Sequence, residues 1–357
     1  MKSFAPGRVE LLGNHTDYNG GVVLSASLDL GITMSGAVRP DGKISIGDKG
    51  MPRHEFGDKL HREGKWTDYI AGVAALLRDE GHRIGGFDIE VSSSLPLGAG
   101  LSSSAATEVA TALLLGKLFE IPFAPWTLAR FCRRVENEFV GVNCGILDQV
   151  SSIFGKAGHA IFLDCRSESV QLVPFPDDCG LLIINSGVKH ALVGGEYNER
   201  REMCFEAARF LGVKELRDAS GDQVHNAKNM PDIIRRRALH VVGENERVFA
   251  AVEAMRQCDG IAFGKLMSAS HASSIHNFEN SAPELDMLVE LALRQPHIYG
   301  ARLTGGGFGG AVVALGKRDA LSTASVKITE AYRTKTGLVA TPIICQPGNG
   351  AMETAVA

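Results

Sequence analysis

Three stretches of this sequence gather side chains and glycines in patterns that could do chemistry. The first, Leu95-Pro96-Leu97-Gly98-Ala99-Gly100-Leu101-Ser102-Ser103-Ser104-Ala105, is a small-residue turn leading into an Ala- and Leu-rich run. Small residues let the backbone approach an anion, and the free N–H groups and dipole of a following helix supply positive potential, which suits a phosphate. A hydroxyl at such a helix start can also reach a divalent cation on bound phosphates. An ordinary strand-to-helix turn would use the same residues. A Walker A loop is excluded, since no Gly-Lys pair in the chain is followed by Ser or Thr. The second stretch, Ala5 to Gly21, sets Asn14, His15, Asp17, Tyr18 and Asn19 between glycines. A carboxylate, an imidazole and a phenol together are what a loop gripping a hydroxylated ligand needs, although a solvated loop ending in an Asn-Gly-Gly turn would read the same way. The third, Thr304 to Gly310, has glycine at 305, 306, 307, 309 and 310. Such a run forfeits side-chain burial and carries the largest backbone entropy cost, so it marks a close backbone approach or a hinge.

The elements that must position these stretches alternate between strand and helix. Phe87 to Ser92 alternates apolar and polar, a half-buried strand, and Val22 to Ala37 reads as a strand or strand pair with a bulge at Gly31. Tyr69, Ile70, Val73, Leu76 and Leu77 fall at helical intervals within Thr67 to Arg78. The run after Ser104 reads as a helix closed off by Pro122 and Pro125. Further helices are predicted over about 196–211, 234–255, 283–293 and 320–334, and short apolar strands at 160–163, 181–184 and 311–315. Val173 to Asp178 is the best connector between a strand-rich first half and a helix-rich second half. This pattern predicts an α+β pair of domains.

Composition narrows the classes. The 357 residues are 45% hydrophobic, with 37 basic and 41 acidic side chains and a net charge of −4. That length and apolar fraction fit two globular domains and argue against disorder, and the charge gives no basic field for nucleic acid. No run resembles a signal peptide or a membrane span. Seven scattered cysteines without a CxxC spacing point to reduced thiols in a cytoplasmic protein.

Taken together, the three stretches resemble the three signatures of the GHMP small-molecule kinases, named for galactokinase, homoserine, mevalonate and phosphomevalonate kinases. Within that superfamily the chain is similar to the galactokinases, nearly end to end. GRVELLGNHTDYNGG resembles their sugar signature, LPLGAGLSSSA the nucleotide loop and LTGGGFGGAVVAL the third motif. Cys144 to Gln149 (CGILDQ) and Val188 to Arg201 (VKHALVGGEYNERR) are the more discriminating blocks. The resemblance implies a two-domain GHMP kinase fold with the active site in the cleft between domains. Residues 1–175 would form a strand-rich domain like domain 2 of ribosomal protein S5, and 176–357 a helix-rich, ferredoxin-like domain. The last 15–20 residues or so, with a strand at about Leu338 to Cys345, would return to the first domain.

The resemblance further implies transfer of the ATP γ-phosphoryl group to the anomeric hydroxyl of D-galactose with Mg²⁺ as cofactor, by a chain working as a monomer unless it oligomerises. Asp148 would orient the 1-hydroxyl or accept its proton, and Arg8 would lie beside it, keeping it charged and stabilising the transferred group. Asn14, His15, Asp17, Gly145 and Tyr197 would contact the sugar. Gly98, Ala99, Gly100, Leu101, Ser102, Ser103, Ser104 and Ala105 would hold ATP, Ser104 and Glu136 the metal, and Gly305, Gly306 and Gly307 form the third motif. The chain departs from the family pattern GRxNxIGEHTDYN by carrying Glu10 and Asn14. Either Glu10 restores the charge missing at 14, or the site takes a related sugar such as galacturonate, N-acetylgalactosamine or L-arabinose. A sugar and ATP sensor without turnover is a further alternative.

Overall fold

The computed structural model describes residues 1–354 apart from 49, 51, 58, 97, 143 and 189–192. Lys189 to Leu192, in the middle of one discriminating block, and Leu97 therefore lie outside the described residues. The first half runs β1 (Lys2–Leu12), β2 (Val22–Arg39), β3 (Ile44–Asp48), β4 (His54–Phe56), α1 (Asp68–Asp79), β5 (Gly86–Ser93), α2 (Ser103–Leu118), α3 (Pro125–Arg134), α4 (Leu147–Phe154), β6 (His159–Asp164) and β7 (Ser169–Pro174). The second runs β8 (Cys179–Asn185), α5 (Val193–Leu211), α6 (Gly221–Asn226), α7 (Asp232–Arg256), α8 (Gly260–Ser273), α9 (Pro283–Leu293), β9 (Ile298–Thr304), β10 (Ala311–Lys317), α10 (Leu321–Thr336), β11 (Thr341–Cys345) and β12 (Met352–Thr354). The architecture is the expected α+β one.

The stretch read as a strand or strand pair is one 18-residue strand, β2, that serves three partners along its length: β1, β5 and β6. Its pairing with β1 slips between Pro6 and Arg8 and again between Glu10 and Leu12. Such irregularities re-aim side chains, and here they flank Arg8 and Glu10. In β5, Phe87, Ile89 and Val91 face the core while Asp88 and Glu90 face outward, as the period-2 pattern requires.

The second sheet has the order β11-β8-β10-β9, every neighbour antiparallel. In chain order this is 4-1-3-2, the arrangement of a ferredoxin-like βαββαβ unit, with α5 to α8 inserted after its first strand. Leu182 and Ile184 pack with α9 and α10, whereas Leu181 and Ile183 belong to a core that also holds residues of β1, β2, α2, α7 and α8. Both faces are covered, which explains the unbroken apolar run 181–184. The halves therefore share one continuous apolar core, a rigid base for residues drawn from both.

Three sequence readings are corrected. Residues 338–345 do not return to the first sheet: Thr341 to Cys345 pair with β8, and the return is made later, by Met352–Thr354 against β1. Pro125 does not end a helix but opens α3 at its first turn, where its missing N–H costs nothing. The helices α3, α4, α6 and α8 and the strands β1, β3, β4, β7 and β9 lie where the sequence pattern predicts no element, β1 taking up the first part of the stretch from Ala5 that reads as a loop.

Candidate active site

Two cavities of about 410 and 450 Å³ adjoin between the halves, and Arg8, Asp148, Gly305 and Gly306 line both. Arg8 reaches the junction from β1 and Asp148 from the first turn of α4. Arg8 Nε donates to Asp148 Oδ1 at 2.7 Å, and a second Arg8 nitrogen donates to the Gly100 carbonyl at 2.7 Å. The Arg8 backbone N–H donates to the Leu101 carbonyl, so strand, turn and aspartate form one unit. The other Asp148 oxygen accepts the Ser102 hydroxyl.

The larger cavity lies against the 98–104 turn. Gly98, Ala99, Gly100, Leu101, Ser102, Ser103 and Ser104 all line it; Ala105 is fully buried inside α2 and does not. Ala99 and Leu101 put their side chains into the core, so what they offer the cavity is main chain. Ser102, left-handed at φ 54°, makes no cap bond to α2 because its hydroxyl is turned to Asp148. The opening N–H groups of the helix are thus left for an anion.

The smaller cavity is lined by side chains. Asp17 and Gly145 meet there: a Cβ at 145 would lie 1.9 Å from Asp17 Oδ2, so only glycine admits that carboxylate. Burial, with Glu10 nearby, pushes the Asp17 carboxyl up to about 6. Burial lowers His15 to about 4, so its ring is neutral at pH 7. The ring nitrogens are engaged by the Tyr18 hydroxyl at 2.7 Å and the Gly306 carbonyl at 3.1 Å. Since the carbonyl can only accept, Nε2 carries the hydrogen and Nδ1 accepts from Tyr18. Tyr197, from the start of α5, lines the cavity 5.0 Å from the His15 ring.

Asn14 lines this cavity too, but its amide is spent inside the protein. Its nitrogen donates to Glu10 Oε1 at 3.0 Å and to the Gly305 carbonyl at 2.7 Å, while its oxygen accepts from Asn280 at 2.8 Å. Glu10 is different. Its Oε1 takes both Asn14 and Arg302 (3.0 Å), whereas Oε2 has no partner among the described residues, on a side chain that lines the cavity. Burial raises the Glu10 carboxyl, against the opposing pull of Arg302 and Arg8.

The third motif resolves as a close approach. Gly305 and Gly306 turn carbonyls to Asn14 and His15, and a Cβ on Gly307, at φ +85°, would lie 2.1 Å from the Asn280 carbonyl.

Supports from the second half had no sequence signal beyond a charge on an apolar helix face. Glu244 on α7 is fully buried and accepts the backbone N–H groups of Gly13 and Asn14 at 2.9 and 3.0 Å. Burial works to raise its carboxyl, but Arg247 at 2.6 Å, together with His240 and Arg302 nearby, outweighs that and holds it at about 2. The spacing His240, Val241, Glu244, Val248 could have flagged it. Asn280 and Arg302 could not have been found without the fold.

Glu136 sits on the π-helical turn Val135–Val140 that prolongs α3, and such turns recur at functional sites. Burial and the Asp148 charge raise its carboxyl, while the Cys144 thiol, the Ser104 hydroxyl and the Gln149 amide oppose this by hydrogen bonding. Ser104 lines one cavity and Glu136 the other. No group of three or more His, Cys, Asp or Glu placed to hold a metal occurs among the described residues. One hydroxyl and one carboxylate at the junction fit Mg²⁺, a hard cation that keeps waters and takes its remaining oxygens from phosphates.

Comparison with known proteins accords with this geometry. Residues 2–38 match the galactokinase galactose-binding signature, 68–156 the GHMP kinases N terminal domain and 251–334 the GHMP kinases C terminal domain. A galactokinase of Haemophilus influenzae (strain PittEE) is 40% identical, with 97% of this chain and 93% of that protein covered. The structure of Lactococcus lactis galactokinase complexed with galactose superposes with a TM-score of 0.93 at 33% identity, covering 99% of this chain and 95% of that one. A mevalonate kinase of Methanococcus jannaschii, at 19% identity and a TM-score of 0.69 with 98% of each chain covered, shares the fold.

Proposed function

The chain belongs to the galactokinases, a branch of the GHMP kinases, and from that premise we propose that it transfers the γ-phosphoryl group of ATP to the anomeric hydroxyl of D-galactose, giving α-D-galactose 1-phosphate and ADP. The observation that carries this reading is the single ion pair, Arg8 with Asp148, at which a side-chain-lined cavity meets a main-chain-lined one. A sugar hydroxyl in the first can there face a phosphate in the second. Asp148 orients the 1-hydroxyl and accepts its proton as the oxygen attacks phosphorus. Arg8 holds Asp148 in place and offsets negative charge on the group in transit. The 98–104 turn and the start of α2 hold the triphosphate. Phosphoryl transfer asks little more of a protein than such positioning and charge neutralisation.

Ser104 and Glu136 would hold Mg²⁺, which when bound neutralises phosphate charge. Asp17, Tyr197 and Glu10 are the sugar contacts, with Gly145 making room for Asp17. His15 supplies its ring, and Asn14 acts behind Glu10 rather than on the sugar. The corresponding domain reading divides the chain near residue 175 and returns its end to the first half. Cytoplasmic residence, in keeping with seven free cysteines, belongs to the same reading; no helix among the described residues is long and apolar enough to cross a membrane.

Among the described residues, four carboxylates (Glu10, Asp17, Glu136, Asp148) line the sugar cavity against one guanidinium. That charge favours a neutral polyol whose hydroxyls donate, and works against a uronate. A coupled ADP-release assay on galactose, galacturonate, N-acetylgalactosamine and L-arabinose tests this. Galactose is expected to give the highest kcat/KM, and a value tenfold below any competitor overturns the choice. Sugar binding with ADP release at background would replace the kinase by a sensor.

A further inference from the structure

Beneath the junction of the two cavities, two buried polar side chains without a part in the transfer itself, Glu108 and Gln149, form a cluster with Glu136. Glu108 is on α2, one turn after Ser104 and therefore on the same side of the helix. Gln149 follows Asp148 on α4. Both side chains are fully buried. The Gln149 amide nitrogen lies 2.9 Å from Glu136 Oε2 and 3.4 Å from Glu108 Oε2, two N–H donors for two carboxyl groups. Gln149 Oε1 and Glu108 Oε1 are buried without a partner among the described residues. Unpaired buried polar atoms are costly, and a core designed for stability alone would fill this space with apolar side chains. Burial, with Glu136 beside it, pushes the Glu108 carboxyl well up, so that the cluster need not carry a full charge on each acid.

We propose that Gln149 is a positioning residue for phosphoryl transfer: bridging Glu136 and Glu108, it fixes the Glu136 carboxylate opposite Ser104 and ties it to the helix that carries Asp148. The proposal rests on the kinase reading above. One amide then sets the distance between the proton-accepting aspartate and the carboxylate facing the metal-bound phosphates. Glu108 is the anchor at the far end of the bridge, held by α2, whose N-terminus faces the nucleotide cavity.

The test compares wild type with Gln149→Met, which keeps the length of the side chain and removes both donated hydrogen bonds. Binding of ADP is measured by calorimetry with and without Mg²⁺, galactose binding is measured separately, and folding is checked by thermal unfolding. Gln149→Met is expected to lose about tenfold of the Mg²⁺-dependent gain in ADP affinity and about tenfold in kcat, with metal-free ADP binding and galactose binding within twofold of wild type. An unchanged Mg²⁺-dependent gain overturns the proposal, as does equal weakening of all three binding reactions, which would mark a packing role. If Gln149→Met does not fold, Gln149→Leu, apolar and likewise without donors, is judged by the same criteria. Failure of wild type itself to bind Mg²⁺ and ADP, or to phosphorylate any sugar, would instead fault the kinase reading.

Discussion

The two adjoining cavities differ little in volume and greatly in what lines them. The sugar side presents Glu10, held by Asn14 and Arg302, the His15 ring, held by Tyr18 and the Gly306 carbonyl, and the side chains of Asp17 and Tyr197. The nucleotide side presents glycines, short hydroxyls and the start of a helix. Recognising one sugar among its stereoisomers requires directional acceptors and donors at fixed points, which only braced side chains supply. Recognising a triphosphate requires convergent N–H groups, which the backbone supplies wherever side chains are small enough to let it approach. Substitutions should therefore register strongly on the sugar side and weakly on the nucleotide side, with the largest effects where the two meet.

Asp148→Ala strikes that meeting point. It is expected to lower kcat at least about 10²-fold, the lower end of what general-base assistance contributes, while galactose and ADP still bind. Near-normal turnover would remove Asp148 from the mechanism. Glu10→Gln acts on the sugar side, and because it also removes the counter-charge of the buried Arg302, its folding is checked by thermal unfolding. Replacing a charged acceptor by a neutral one, roughly halving the strength of its hydrogen bond, is expected to raise KM for galactose about tenfold and leave KM for ATP within twofold. Equal changes in both constants would dissolve the contrast between the cavities.

The pH dependence of sugar affinity gives a smaller effect with a definite sign. Asp17, pushed up to about 6 by burial, would accept sugar hydroxyls best when ionised. KM for galactose should fall several-fold as pH rises from about 5 to 7, and Asp17→Asn should flatten that profile. The stability linkage runs the opposite way. A folded-state value above the ordinary 3.8 contributes stability at low pH that is lost as pH rises through about 6. Thermal unfolding should thus find Asp17→Asn no less stable than wild type at pH 7. The least effect is expected from Ser103→Ala on the nucleotide side. Ser103 is exposed and lines its cavity, but the reading assigns phosphate binding to the main chain, so KM for ATP should change less than threefold.

Much of the fold was legible because burial on one face leaves a period in the sequence: β5 through its alternation, α9 and α10 through their helical spacing. Elements buried all round, or shorter than the window a period needs, were not. α4 has only eight residues, and β9 carries Gly300 and Arg302 where a strand pattern would show apolar side chains. Arg302 is in the core because Glu10, 292 residues away, neutralises it there. The returning strand was placed too early because Thr341 to Cys345 fits either sheet by pattern, and only the free edge of β8 decided between them.

By itself the sequence determined the local chemistry: a turn of small residues before a helix, a loop rich in hydroxyl-binding groups, a glycine run that forfeits side chains, and the motifs that assign the family. These are short-range properties, fixed by backbone sterics and residue type. Which of the two side chains keeps an acceptor free at the cavity was decided only in three dimensions. Asn14 and Glu10 are equally plausible as letters. Asn280, the Gly305 carbonyl and Arg302, all brought in by the second half of the chain, consume the amide of one and leave an oxygen of the other free. A polar side chain in a protein interior is defined by what remains of its hydrogen-bonding capacity after its neighbours are satisfied, and those neighbours are set by packing between segments far apart in sequence.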